Sequence, residues 1–330
     1  MLKLAVIGCG KVSEEMHLPA FAAMPKVSIV ALCDISPRAL NAMGELYGVK
    51  ARYRDYRQML GNEDIDAVCV NTPNYLHAKM TVDCCRAGKH VLVEKPCATS
   101  MPEVKRMKAA AEKAGVYIMV EQIHRFMPFN EKAHEIIRSG FMGKVLGFRA
   151  RVGSLGPINW SPKGKWFYKK REAFGGALAD IGIHITDTVR WVAGEEIERV
   201  QAFTAKYGRR GDVEDNAVMA VETAGGAVGT IEASWTQAPS YFGYQINCKN
   251  GTLEMTMGRG LRAFMAEPKG QIDFTVPKAS IRGGSFGYFA DCVLEGEKPF
   301  VDIEEGGRSL AVVVAAYRSA ATGRAVEVKY

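Results

Sequence analysis

Over the first 120 residues, short apolar runs alternate with stretches whose apolar positions recur every three to four residues. Leu2–Ile7, Val27–Cys33, Asp66–Val70, His90–Glu94 and Val116–Val120 read as strands. Glu14–Met24, Pro37–Tyr47, Leu76–Ala87 and Pro102–Ala114 read as helices, with Ser36 as an N-cap and Gly48 and Gly88 as C-terminal stops. The strand runs are continuously apolar, as expected when both faces of a sheet are covered. Repeated β-α-β order predicts a parallel sheet with right-handed crossovers.

The second half has a different pattern. A helix is expected near Phe129–Arg138, followed by β-type runs at Val145–Val152, Val200–Tyr207, Ala217–Thr223, Val228–Trp235 and Tyr244–Lys249. Gly225-Gly226 and Asn250-Gly251 mark turns. These runs predict a mostly antiparallel open sheet, with helices from Ala177–Ala193 and Glu304–Thr322 on one face. The fold class is therefore an α/β N-terminal domain with a parallel sheet, residues 1–122, plus a C-terminal α+β domain, residues 123–330. No linker or internal repeat separates or subdivides them.

Composition narrows the function classes. The chain has 330 residues, of which 48% are hydrophobic and 24% charged, a balance that suits two globular domains. No run reaches the roughly 18 apolar residues of a membrane span, and Met1–Ile7 is a strand too short for a secretory core. The net charge of +7 is spread evenly: 16 Lys and Arg face 13 Asp and Glu in residues 1–122, and 27 face 23 in the remainder. With no basic tail or stripe, neither nucleic acid nor membrane is an expected partner, while an anionic cofactor or substrate is accommodated. The eight cysteines form no CxxC pair. No metal site is signalled, and a reducing, cytoplasmic setting is expected.

Chemistry enters at Gly8-Cys9-Gly10-Lys11-Val12-Ser13, between a strand and a helix. Gly8 permits a tight turn, and Gly10 lets the backbone approach a pyrophosphate at the helix N-terminus. Ser13 replaces the third glycine. Asp34 ends the second strand, 21 residues on, where a carboxylate accepts from an adenosine ribose and repels a 2′-phosphate. That spacing favours a Rossmann domain over an ordinary glycine turn followed by a solvent-facing aspartate, and NAD over NADP, although Arg38 nearby could accommodate the phosphate. Asn71-Thr72-Pro73-Asn74 follows another apolar run, at the strand end where ligands bind; a plain proline turn reads as well. Glu94-Lys95-Pro96 places a lysine at a strand's carboxyl end. Gly175-Gly176-Ala177-Leu178 leads into Asp180 and His184, four apart and so on one face of a helix. A carboxylate beside an imidazole suits acid–base work, yet the spacing equally describes a structural helix with a core histidine.

Taken together, Gly8-x-Gly10, Glu94-Lys95-Pro96, Trp166, Gly175-Gly176-Ala177-Leu178 and Asp180-x-Gly182-x-His184 resemble the glucose–fructose oxidoreductase/inositol dehydrogenase (Gfo/Idh/MocA) family over nearly the whole chain. Phe174 stands where members often have another glycine. The resemblance implies an NAD-dependent dehydrogenase or reductase that moves a hydride between nicotinamide and a secondary alcohol of a sugar, inositol or derivative. It implies that Lys95, Asp180 and His184 meet beside the nicotinamide, with a cis Lys95–Pro96 bond. His184 would be the general base, Lys95 would polarise the oxygen or relay its proton, and Asp180 would orient hydroxyls. Candidate cofactor contacts are Gly8, Gly10, Lys11, Val12, Asp34, Arg38, Asn71, Thr72, Asn74, His77, Glu94, Lys95 and Gln122. Candidate substrate contacts are Lys95, Trp166, Asp180 and His184. The cations and aromatics of Lys163–Arg171 could bind an anionic sugar, or form a solvated loop. A homodimer or homotetramer through the open C-terminal sheet is expected. Two rival activities remain: an NAD-using glycosidase of the same fold and a non-catalytic dinucleotide sensor.

Overall fold

The structure is a computed structural model that describes residues 1–61, 64–208 and 210–330. It divides into two compact units: Met1–Gln122 with Arg282–Gly307, and Ile123–Ile281 with Arg308–Tyr330. The division after Gln122 falls where the pattern changes. The second unit is not the unbroken run from residue 123 that was expected, because Arg282–Gly307 returns to the first.

The first unit is built on a six-stranded parallel sheet: β1 (Leu2–Ile7), β2 (Val27–Cys33), β3 (Ala51–Tyr53), β4 (Ala67–Val70), β5 (His90–Val93) and β6 (Ile118–Val120). Their order is β3-β2-β1-β4-β5-β6, the doubly wound order of a dinucleotide-binding sheet, whose direction reverses beside β1. Leu4, Ala5, Val6, Val68, Cys69, Leu92 and Val93 are completely buried, which explains the unbroken apolar runs. The register aligns Ile7 with Cys33 and Val70, Val70 with Val93, and Val93 with Val120. The residues that follow, Gly8, Asp34, Asn71, Glu94 and Glu121, therefore leave the sheet in one row at its carboxyl edge. The returning segment packs the helix Gly284–Glu295 against β1 and the helix Leu18–Ala22, and the Val120 N–H donates to the Val301 carbonyl at 2.9 Å, covering the β6 edge.

The second unit holds a nine-stranded sheet: β7 (Val145–Gly153), β8 (Ile197–Ala205), β9 (Asn216–Thr223), β10 (Val228–Ser234), β11 (Tyr241–Cys248), β12 (Gly251–Thr256), β13 (Gly260–Met265), β14 (Gly270–Phe274) and β15 (Val326–Glu327). Among the described residues of this sheet only β7 and β10 pair in parallel. The strands alternate: Phe148, Ala150 and Val152 point inward while Arg149 and Arg151 point out. The helix Ile183–Ala193 packs on β7, β11 and the helix Pro128–Arg138, burying Ile183, Ile185, Val189 and Val192. The single expected helix over 177–193 opens with a π-helical stretch, Leu178–Gly182.

Candidate functional site

The glycine loop is shaped by a close approach. Gly8 has φ +97°, and a Cβ there would lie 2.4 Å from the Asn71 carbonyl oxygen, so only glycine fits both the dihedral and the space. Gly10 differs: a Cβ would meet nothing within 4 Å, leaving a ligand room to reach the backbone. Helical bonding begins with Glu14 N–H to Gly10 O at 3.0 Å, so the amides of Lys11, Val12 and Ser13 precede it. Ser13, fully buried, donates to the Gly8 carbonyl at 2.5 Å and accepts from the Asn71 Nδ2 at 2.9 Å. The serine thus knits the loop to the end of β4. Asp34 accepts the Cys9 N–H on Oδ2 and the Ser36 N–H on Oδ1, both at 2.7 Å. Each oxygen keeps a lone pair for a further donor. Lys11 is exposed and ion-paired with Glu15 at 2.6 Å; Arg38 is exposed in the first turn of the helix Pro37–Leu46.

Farther along the row, His77 is buried, with Nδ1 2.7 Å from the Pro96 carbonyl and Nε2 2.6 Å from that of Thr72. Its ring therefore joins the two loops that follow β4 and β5. Burial holds its pKa below the usual histidine value, against the pull of those carbonyls. Thr72 lies beside the Met80 sulfur, and Asn74 is buried at the start of its helix. Glu94 is buried: Oε1 pairs with His17 Nε2 at 2.8 Å, and Oε2 accepts the Lys95 N–H at 3.1 Å. Burial presses the Glu94 pKa upward, but the His17 hydrogen bond and the Lys95 charge outweigh it and hold the carboxyl below its ordinary range. Lys95 is half-buried, and the Lys95–Pro96 bond is cis. Glu121 accepts from Ser285 Oγ at 2.6 Å; burial and the Glu94 charge push its pKa up to about 8. Gln122 is buried, and neither amide atom has a partner among the described residues.

In the second unit, Asp180 lies on the π-helical stretch and His184 at the start of the helix that continues it. The His184 ring is 4.7 Å from that of His124, which stacks at 4.3 Å on Phe242. Arg125, 1% exposed, makes two 2.8 Å bonds to Asp187 on the same helix, and Ser309 donates to Asp187 at 2.7 Å. A buried pair with its hydrogen bonds completed in this way fixes the helix that carries His184. Trp166 stacks on Phe167 at 3.9 Å, and in the same loop Lys169 and Arg171 turn to Glu172. Sequence reasoning missed His17, Glu121, His124, Arg125 and Glu214.

Residues 2–122 match the model of the oxidoreductase family with an NAD-binding Rossmann fold, and residues 130–254 match that of the GFO/IDH/MocA C-terminal domain. The chain belongs to the Gfo/Idh/MocA oxidoreductase family. It is 29% identical to a D-apiose dehydrogenase of Paraburkholderia graminis, over 99% of this chain and 90% of that one. It is 27% identical to the myo-inositol 2-dehydrogenase of Thermotoga maritima over 99% of both. A levoglucosan dehydrogenase solved with NADH superposes with a TM-score of 0.88 at 25% identity, over 99% of each chain. Like its family, the chain is an NAD-dependent oxidoreductase. The cofactor fits what the first unit offers: an open backbone at Gly10, amides ahead of the first helical bond, and a carboxylate at Asp34 that retains acceptor capacity. Among the described residues no helix is long and apolar enough to cross a membrane.

Proposed function

We propose that this Gfo/Idh/MocA oxidoreductase is a dehydrogenase of secondary alcohols on sugars, inositols or their derivatives, with Lys95, Asp180 and His184 as its catalytic groups. Lys95 carries the reading. It follows Glu94, which leaves β5 in the same carboxyl-edge row as Gly8 and Asp34, and its backbone is held by Glu94. Gly8, Gly10, Lys11 and Val12 receive the pyrophosphate, Asp34 the adenosine ribose, and Asn71, Thr72, Asn74 and Gln122 the nicotinamide half. NAD supplies the hydride carrier. Lys95 donates to the substrate oxygen, Asp180 accepts from substrate hydroxyls, and a His184 ring nitrogen takes the hydroxyl proton. Trp166 offers a face for a sugar ring, and exposed Lys163, Lys165 and Lys170 suit an anionic substituent.

The relatives' substrates, D-apiose, myo-inositol and levoglucosan, support a polyhydroxylated ligand. The eight cysteines are all free and buried, which supports a reducing, cytoplasmic location. The outer face of the second sheet exposes Leu146, Phe203, Val218 and Val228, which supports a homo-oligomer through that face.

A screen of pentoses, inositols and anhydrosugars with NAD, read at the NADH absorbance band, tests the activity. With the best substrate, His184→Asn and Lys95→Ala should each lower kcat about 10²- to 10⁴-fold, the usual range for a lost proton-transfer group. Wild-type rates in both variants would overturn the assigned roles. Glycoside cleavage without net NADH formation would replace the dehydrogenase reading with the glycosidase one.

A further inference from the structure

The Gly175-Gly176-Ala177-Leu178 turn opens the helical segment that carries Asp180 and His184, and the first amides of such a segment lack partners in their own helix. Here they are met from outside. Glu214 Oε2 accepts the Gly176 N–H at 2.9 Å, Oε1 accepts the Leu178 N–H at 3.0 Å, and the Glu214 carbonyl accepts the Ala177 N–H at 3.1 Å. The Ala179 N–H donates to Tyr317 Oη at 3.2 Å, and that hydroxyl donates to Glu214 Oε1 at 2.7 Å. Glu214 stands just before β9, and Tyr317 on the helix Ile303–Thr322.

The fit is close enough to explain both glycines. A Cβ on Gly176 would lie 1.7 Å from the Glu214 carbonyl oxygen, and one on Gly175 would lie 1.9 Å from Tyr317 Oη. Phe174 just before them has φ +74°, an unfavourable backbone for a phenylalanine, and its ring meets Tyr317 edge-on at 5.4 Å. A strained residue persists only where its surroundings over-determine it. The turn is thus specified at every residue from 174 to 179.

We propose that Glu214 and Tyr317 are positioning residues for the reaction, fixing the turn that presents Asp180 and, through it, the setting of His184. The inference rests on the roles given to those two residues above. Both carboxylate oxygens act only as acceptors, so the isosteric Glu214→Gln must turn an amide NH₂ toward a backbone N–H. It keeps the shape and breaks the bonding. Tyr317→Phe removes one donor to the carboxylate and the acceptor of the Ala179 N–H, and leaves the two backbone bonds to the carboxylate.

The test follows His184 by histidine NMR across pH in the full chain, with its signal assigned by its absence from His184→Asn. It is paired with NADH titration by fluorescence and with rates on the polyol from the screen. In Glu214→Gln the His184 titration should move by about 0.5 pH unit or more as neighbouring charges shift. Its kcat should fall about tenfold, the scale of a small misplacement, while the NADH Kd stays within about twofold. Tyr317→Phe should move the titration in the same direction by less. Tyr317→Phe changes no charge, so there a merely structural cap would lower Tm and leave the titration in place; an unmoved titration in Tyr317→Phe, or in folded Glu214→Gln, overturns the proposal. If that variant does not fold, Tyr317→Phe decides by the same titration. A wild-type protein that oxidises no polyol would sink the dehydrogenase reading, with Glu214 still judged by the NMR arm.

Discussion

Ser13 bonds in two directions, to the Gly8 carbonyl and from the Asn71 amide, at a position where the dinucleotide fingerprint usually has glycine. Ser13→Ala removes both bonds. It strands the Asn71 Nδ2, whose neighbour Oδ1 already has no partner among the described residues. A buried polar group left unsatisfied costs about 1–3 kcal/mol. Ser13→Ala should therefore lower Tm by several degrees and weaken NADH binding, both measurable by thermal melts and fluorescence titration; an unchanged Tm would show that the loop does not depend on this link. At this scale spacing singled out the candidates, Gly8 and Gly10 before a helix, Asp34 after a strand, Lys95 before a proline, Asp180 and His184 four apart, and left a plain structural reading open beside each. It was silent where a partner is distant. His17 meets Glu94 across 77 residues, Ser285 meets Glu121 across 164, and Tyr317 meets Glu214 across 103. Phe174 lies between: it was visible as a departure from a glycine, and its positive φ gives the reason a glycine suits that place.

Strands β1, β2, β4 and β5 could be read because burial on both faces demands unbroken apolar runs, and the long helices because their caps and periods agree. The hairpins β12 to β14 could not. They are short, half-exposed and rich in polar residues, so their alternation is weak, and only Asn250-Gly251 announced the turn between β11 and β12. The return of Arg282–Gly307 to the first unit was also hidden, since periodicity reports which face of a helix is apolar and not what it packs on. That return has a pH consequence. Glu121 at the end of β6 is enclosed with Ser285 from the returning helix, and its pKa, pushed up to about 8, lies above the value of an unfolded glutamate. A raised folded pKa contributes stability that is complete below the unfolded value and is lost as pH rises through the folded one. Stability should thus decline between roughly pH 4.5 and 8 on account of this group. Glu121→Gln retains an acceptor for Ser285 and cannot ionise. Its Tm should fall less than that of the wild type across this window and should exceed it above about pH 8. Parallel Tm–pH curves for the two proteins would refute the burial of a neutral acid here.

For the molecule as a whole, the sheet of the second unit has one face packed on helices and one facing out. The outer face carries Leu146, Phe203, Val218 and Val228, with Phe203 66% exposed, among Arg149, Arg199 and Glu222, which line a depression of about 690 Å³ together with Leu146 and Val228. Apolar side chains gathered on one side of a large sheet, interleaved with both signs of charge, suit association with a second copy, because a two-fold contact places the same patch against itself. Self-complementarity makes that surface sensitive to a single charge. In such a two-fold contact every substitution is present twice, so Phe203→Glu would remove two aromatic anchors and introduce two carboxylates that must be desolvated or kept apart. Within one protomer Phe203 stands opposite Val218 on the exposed face, where a glutamate keeps its water and costs the fold little. Sedimentation velocity at micromolar concentration should then show an oligomer for the wild type and a smaller species for Phe203→Glu, with Tm and NADH affinity nearly unchanged. A wild-type monomer would remove the basis for assigning this face to self-association. An oligomer that Phe203→Glu leaves intact would move the interface to another surface.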